Sequence, residues 1–517
     1  MLFNSHQFIF IFLPSLIFSV WIARKLGKAA ATLVLVVASL FFYAQWEPVF
    51  IVLLCVSIVV NYMIGARLYD SQSLFHLWIG VTLNLIAIAY FKYRYFLAAM
   101  VVPGFDAASH GAMITIPLGI SFFTFQQISF LVDCRRNAVK PGGLLEYAFY
   151  VSFFPQLVAG PIVRFSEVVN QFTRSSAFQV RFDNASIGLT MFVIGLFKKA
   201  VIADQMALIA NPVFEIAETN ASVSFAEAWV GVLAYTLQIY FDFSGYSDMA
   251  LGLGRIFGIR LPLNFNSPYK AASIIDFWRQ WHITLSRFLR DYLYFPLGGN
   301  RHGKIRRYGN LMVVMLLGGL WHGAGWNFVL WGGLHGLALT VNHLYQAVRG
   351  EPGRSRRTAS GFVCGWLATF LVVVVGWVLF RSQTLGGAAN IYQGMLGLDD
   401  RLVLPDAALG PLGAIGLWLQ SIGVAAFEAW GTDRAAVNGK HVLWIVGGLV
   451  ICLLFPNTQT WMNRYQPAIE ANRHGLARLP RMLAWRPTIA WSAVTVAIFL
   501  YATFSAGDTS EFIYWQF

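Results

Sequence analysis

A chain of 517 residues that is 57% hydrophobic, 16% aromatic and only 12% charged, with a mean hydropathy of +0.60, lies outside the composition of soluble domains, where about a quarter of residues are charged. It reads as an integral membrane protein. The formal net charge of +13 falls in short Lys/Arg clusters between apolar runs, the pattern of cytoplasmic loops rather than of a nucleic-acid surface. Cys55, Cys134, Cys364 and Cys452 are scattered, with no C-x-x-C, and point to neither a disulfide framework nor a thiolate metal site.

Residues 1–7 lack the positive region of a signal peptide, and the apolar run 8–22 is followed by Arg24, Lys25 and Lys28 rather than a cleavage site, so the first helix is expected to stay. Those charges put the N-terminus outside and the turn at 24–28 in the cytoplasm. A span needs about 20 apolar residues, and 29–43, 49–65 and 74–91 follow as closely spaced neighbours. Residues 114–132 carry Pro117, Gly119, Gln126 and Gln127, which suits a helix lining the interior. Residues 147–161 are short and broken by Pro155, Gly160 and Pro161, which suits a re-entrant or interfacial element. In 185–209, Lys198 and Lys199 are expected to snorkel to the cytoplasmic surface from an oblique helix. Asp242, Ser244, Tyr246 and Asp248 within 229–259 suggest a lined cavity.

Residues 274–297 read as one amphipathic helix at the interface, with Trp278, His282, Leu285, Leu289 and Tyr292 on one side and Arg279, Arg287, Arg290 and Asp291 elsewhere. Residues 311–336 drop His322 into an apolar run, with His335 repeating the pattern. An ionisable group at membrane depth is costly, roughly 2.5–3.5 kcal/mol for Arg, Lys or Asp, and tends to mark a reaction or transport path. The seven glycines around it read as a pocket wall. The basic loops 301–307 and 349–357 are cytoplasmic by charge. After the span at 362–380, residues 410–430 are taken as flat or re-entrant, so that 443–455 returns to the cytoplasm, 464–486 stays there, and the last helix, 489–504, carries the C-terminal tail out.

No G-x-S-x-G, H-E-x-x-H, Walker loop or G-x-G-x-x-G in a strand-to-helix setting is present. What remains is histidine in a membrane chamber. A near-neutral imidazole can take the proton of a hydroxyl as it attacks an activated carbonyl, which is worth about 10²–10⁴-fold in rate. His322 is the candidate base, and His282 could orient it, bind substrate or anchor its helix. Two histidines make a weak metal site, since catalytic zinc takes three protein ligands, so no metal is expected.

The segments FWRQWHITLSRFLRDYLY (277–294) and LLGGLWHGAGW (316–326), with YFDFSGYSDMALGLG (240–254), PLGISFFTFQQISFLVD (117–133), FPQLVAGPIVRF (154–165) and FIFIFLP (8–14), resemble the signature of the membrane-bound O-acyltransferase family. The resemblance is to the bacterial branch containing the alginate O-acetylation protein and the teichoic-acid D-alanyl transfer protein. It implies an all-α polytopic bundle of about 10–12 transmembrane helices around a central chamber or tunnel. Residues 1–383 would form the catalytic core and 384–517 a peripheral C-terminal portion. It further implies that His322 is catalytic, that His282 is the second signature histidine, and that acetyl passes from cytoplasmic acetyl-CoA toward an exported polysaccharide such as alginate, completed by a periplasmic acetyltransferase partner. Lys198, Lys199 and Arg279 would suit coenzyme A phosphates. The chain ends FIYWQF, an F-x-Y-x-x-F ending similar to that of the small membrane partner in the D-alanyl system, which makes Tyr514 a candidate acyl relay. A phenol is easier to deprotonate than a sugar hydroxyl and leaves better. Alternatives from the residues alone are an interfacial aromatic belt at the tail, a polytopic transporter or flippase, for which no internal repeat is found, and a scaffold of a secretion machine.

Overall fold

The computed structural model of the chain describes residues 1–103, 105, 116–172, 177–219, 221–349, 358–398, 402–405, 417–418, 421, 425–428, 439–469, 484–505 and 512–513. The opening spans appear as α1 (Leu13–Leu26), α2 (Lys28–Ala44), α3 (Phe50–Ser71) and α4 (Leu74–Ile88), the last running through a π-helical turn at Ala89–Tyr93 into α5 (Arg94–Val101). They leave large apolar side chains such as Phe18, Val52 and Trp78 exposed, as helices facing lipid do. Among the described residues, Phe8–Leu26, Phe50–Ser71, Leu74–Val101, Phe182–Glu218 and Ala359–Arg381 are long and apolar enough to cross a membrane, and Lys28–Ala44, Gly439–Leu454 and Ile489–Ser505 are shorter apolar helices. The chain is thus an all-α polytopic membrane protein. Its small non-helical part includes a parallel pair, β1 (Leu402–Pro405) and β2 (Ala425–Glu428).

Inside this shell the interrupted segments turn inward. Helix α6 (Ile120–Arg135) buries both Gln126 and Gln127, as its polar composition suggested. The next stretch kinks at Phe153 between α7 (Leu144–Ser152) and α8 (Phe154–Leu157), with Pro155 in the first turn of α8. Residues 149–163 are all buried, so this element folds into protein rather than lying on the surface. Helix α9 (Phe165–Phe172) follows it.

The axis of the molecule is α12 (Phe225–Ile256), 32 residues long and therefore about 48 Å from end to end. Residues 234–257 are buried without exception. Ser224 caps its start by accepting the Glu227 N–H while the Glu227 carboxylate returns to the Ser224 N–H. Helix α10 (Phe182–Phe197) crosses it at backbone-contact distance: a Cβ at Gly188 or Gly195 would run into the carbonyl of Gly252 or Gly245, the small-residue packing that membrane helices use. Another π-helical turn, Lys198–Ala203, joins α10 to α11 (Asp204–Glu218).

Two sequence expectations change here. Lys198 and Lys199 do not reach outward, because the π turn swings both toward carboxylates of α12: Lys198 pairs with Asp248 at 2.6 Å and Lys199 with Asp242 at 2.7 Å. The amphipathic stretch 274–297 is not one helix but α13 (Ile274–Trp278), α14 (Ile283–Leu289) and a π turn at Arg290–Tyr294. The break falls at His282, whose φ of 42° and ψ of 54° leave the right-handed helical region. The rest comprises α15 (Gly303–His322), α16 (Trp326–Arg349), α17 (Ala359–Arg381), α18 (Leu385–Leu396), α19 (Gly439–Leu454), α20 (Thr458–Trp461) and α21 (Ile489–Ser505). The last of these packs on α10, and α20 is tied to the axis by Thr458 Oγ1 and Gln459 Nε2, which donate to Asp248 at 2.6 and 2.5 Å. Most of 410–430, with its expected re-entrant course, lies outside the described residues.

Candidate active site

The hairpin of α15 and α16 closes through glycine. A Cβ at Gly319 would overlap the Phe328 carbonyl, and one at Gly332 the Met315 carbonyl, so these two weld the helices together, whereas Gly323 and Gly325 do line a cavity. His322 is the last residue of α15 and is 3% exposed. The final carbonyls of a helix have no intrahelical donors. Here the π turn of α4 supplies them. Lys92 Nζ donates to the carbonyls of Trp321 (2.6 Å) and His322 (3.2 Å), and Tyr93 Oη donates to that of Leu320 (2.8 Å). Sequence reasoning missed Lys92, since a lone lysine at the end of an apolar run looks topogenic.

His282 is fully buried, and its left-handed backbone turns the ring inward from the break between α13 and α14. Asn264 Oδ1 receives three groups: Thr284 N–H at 3.3 Å, Thr284 Oγ1 at 2.9 Å and His282 Nδ1 at 3.1 Å. A backbone N–H can only donate, which identifies that atom as the amide oxygen. Nδ1 therefore carries the proton, and Nε2 of the neutral ring keeps its lone pair. The rings of His282 and His322 lie 6.5 Å apart, centroid to centroid. Asn264 was also unforeseen; only the fold brings it to His282.

On one side of His322 the surroundings are aromatic. Trp331 stands between two histidines, 5.1 Å from the ring of His322 and 4.8 Å from that of His335. Trp278 meets His335 edge-on at 5.3 Å. Trp278 Nε1, Trp331 Nε1 and both ring nitrogens of His335 are buried and lack a hydrogen-bond partner among the described residues. Native interiors leave few such groups unmet.

On the other side is a cavity of about 630 Å³ whose walls include Lys92, Lys199, Gln238, Gly323, Asn327 and Ile513, a size suited to a small-molecule or peptide segment. Phe380 also lines it and meets the His322 ring at 5.1 Å, so one ring touches both imidazole and cavity. The three cations singled out by sequence are not brought together. Lys199 lies in the cavity wall between Asp242 and Asp204 (3.0 Å), and Lys198 is turned to Asp248. Arg279, at the end of α13, is exposed beside Asp276 at 3.3 Å. Tyr514 lies outside the described residues, two positions beyond the buried Phe512.

A further charged cluster joins α9 to the end of α14, with Arg164 on Asp291 and Arg287 on Glu167, while Tyr292 Oη donates to Asp133 at 2.8 Å. Burial pushes the Asp291 carboxyl up, but hydrogen bonds from Arg290 and Arg164 outweigh it and hold it below the ordinary carboxylate value. No group of three or more His, Cys, Asp or Glu gathers as metal donors among the described residues.

Comparison with known proteins accords with this geometry. Residues 117–381 match the description of the MBOAT, membrane-bound O-acyltransferase family. The chain is 42% identical over 430 residues to a peptidoglycan O-acetyltransferase of Helicobacter pylori, covering 77% of this chain and 80% of that protein. It is 40% identical over 412 residues to a probable alginate O-acetylase, AlgI, of Pseudomonas aeruginosa, covering 76% and 75%. A teichoic acid D-alanyltransferase of Bacillus subtilis is 28% identical over 241 residues, covering 44% and 59%. With His322 and His282 converging inside a membrane bundle and identity of this extent, the chain belongs to the membrane-bound O-acyltransferase family and is an O-acyltransferase.

Proposed function

We propose that the enzyme moves an acetyl group from acetyl-CoA, through an acetyl-tyrosine at Tyr514, toward hydroxyls of an exported polysaccharide. The observation that carries the reading is His322, whose ring packs between Trp331 and Phe380, the latter shared with a cavity whose wall includes the chain's own Ile513. The donor's pantetheine arm carries amides that would meet Trp278 Nε1, His335 and Trp331 Nε1. Arg279, the exposed member of the three cations, is the one we assign to its phosphates.

In the first step the Tyr514 phenol oxygen attacks the thioester carbonyl. A C–O bond forms, the C–S bond breaks, and the phenolic proton passes through His322 to the departing thiolate, leaving CoA as the thiol. His282 Nε2, its tautomer fixed by Asn264, assists as a second acceptor close to the base. In the second step a periplasmic partner transfers the acetyl group from Tyr514 to a glycan hydroxyl and returns the phenol. The relatives named for alginate and for peptidoglycan support a polysaccharide acceptor. The loop charges support a cytoplasmic donor side and a periplasmic tail. Replacing His322 by Ala should abolish acyl transfer from labelled acetyl-CoA with the amount of folded protein unchanged. Retained transfer would remove His322 from the chemistry.

A further inference from the structure

We propose that Asp242 and Lys199 form a receptor for the chain's own C-terminal segment, holding Phe512 and Ile513 so that the next residue, Tyr514, is delivered into the cavity beside the His322 helix. The role in delivery rests on the relay reading above, whereas the holding itself does not.

Asp242 and Lys199 are 1% and 2% exposed, on α12 and on the π turn before α11. An ion pair taken out of water recovers its desolvation cost only with good geometry and further hydrogen bonds. Part of that second requirement is met by the tail, since Asp242 Oδ2 accepts the backbone N–H of Ile513 at 3.0 Å. The Lys199 ammonium lies 4.9 Å from the centre of the Phe512 ring, within cation–π range. One helical turn on from Asp242, Tyr246 meets Phe512 edge-to-face at 4.8 Å. Phe3, from the other end of the chain, stacks on Tyr246 at 4.9 Å and closes the socket behind it. Phe512 is 1% exposed as a result.

The two contacts divide the work. A hydrogen bond to a main-chain N–H fixes the course of the chain whatever residue stands there, and an aromatic socket selects the ring two positions before Tyr514. Ile513 is part of the wall of the cavity that Gly323, next to His322, also lines, and consecutive Cα atoms are about 3.8 Å apart. The placement also reassigns Lys199. Its charge is spent on Asp242, Asp204 and Phe512 rather than on a coenzyme phosphate.

The test is hydrogen–deuterium exchange at the C-terminal peptide of the full chain in lipid nanodiscs, read alongside acetyl-CoA kinetics. In the native protein the Ile513 amide should be protected. Phe512→Ala and Lys199→Met should each speed its exchange at least tenfold and lower kcat while leaving the KM for acetyl-CoA unchanged, and Phe512→Trp should restore both. Tyr514→Phe should keep the amide protected although the tail can no longer accept acyl, which separates failure of the relay from failure of the socket. An unprotected Ile513 amide in the native protein would overturn the proposal. So would protection that survives Phe512→Ala, or a Lys199→Met enzyme whose KM rises while the tail stays protected.

Discussion

The two sides of His322 are built from opposite materials. Toward α13 and the middle of α16 stand the rings of Phe277, Trp278, Trp331 and His335, with the indole N–H groups of Trp278 and Trp331 unmet among the described residues. Toward α11 and α12 the wall is ionic, with Lys199 between Asp242 and Asp204 and Gln238 alongside. The contrast teaches that the imidazole is kept on a boundary. A thioester arm with a few amides suits the first side, and a tail held by charge and backbone hydrogen bonds suits the second. In the proposed reaction each side would take its own reactant without competing for the other's.

That contrast can be broken in order of expected effect. The largest follows from Asn264, which sets the proton of His282. Asn264→Leu should lower kcat about tenfold to hundredfold, and Asn264→Asp, which keeps an acceptor for Nδ1, should recover most of it; equal loss in both variants would mean that tautomer control is unimportant. Next is Lys92, the side chain that lies against both the α15 end and the cavity. Lys92→Met leaves the Trp321 and His322 carbonyls without their donor, at a cost of about 1–3 kcal/mol. It should lower the unfolding temperature and reduce transfer about tenfold, measured by thermal denaturation and by label uptake. Unchanged values in both would show that the grip on the helix end is dispensable. The smallest concerns Arg279, exposed on the aromatic side. Loss of one screened charge contact is worth about 1 kcal/mol at most, so Arg279→Ala should raise the KM for acetyl-CoA about threefold to fivefold, with the effect fading in high salt. A KM that does not move would take this residue out of the donor site.

The difference between the regions also explains what could be read from sequence. The membrane character and the buried interior helices are legible, because hydropathy carries them, and two signature segments single out His282 and His322 while leaving open whether the two rings meet. The 274–297 stretch keeps helical spacing through a point where the backbone leaves the helix, and nothing in its pattern announces that His282 adopts positive φ. Lys198 and Lys199 look like surface charges because an ideal helix would carry them outward. The π turn inserts the rotation that turns them to Asp248 and Asp242, and such a turn has no hydrophobic signature. The glycines around His322 were read as pocket wall, yet Gly319 and Gly332 serve helix contact, since closeness of backbones and openness of a cavity call for the same residue. Contacts between distant segments, such as Ile513 with Asp242 or Lys92 with Trp321, are invisible to local reading by their nature.

The proposed covalent relay through Tyr514 is tested most directly by mass spectrometry of the C-terminal peptide after incubation with isotopically labelled acetyl-CoA. An acetyl adduct on Tyr514 that is absent in the His322→Ala enzyme is the expected result. Transfer of label to acceptor with an unmodified Tyr514, undiminished by Tyr514→Phe, would contradict it.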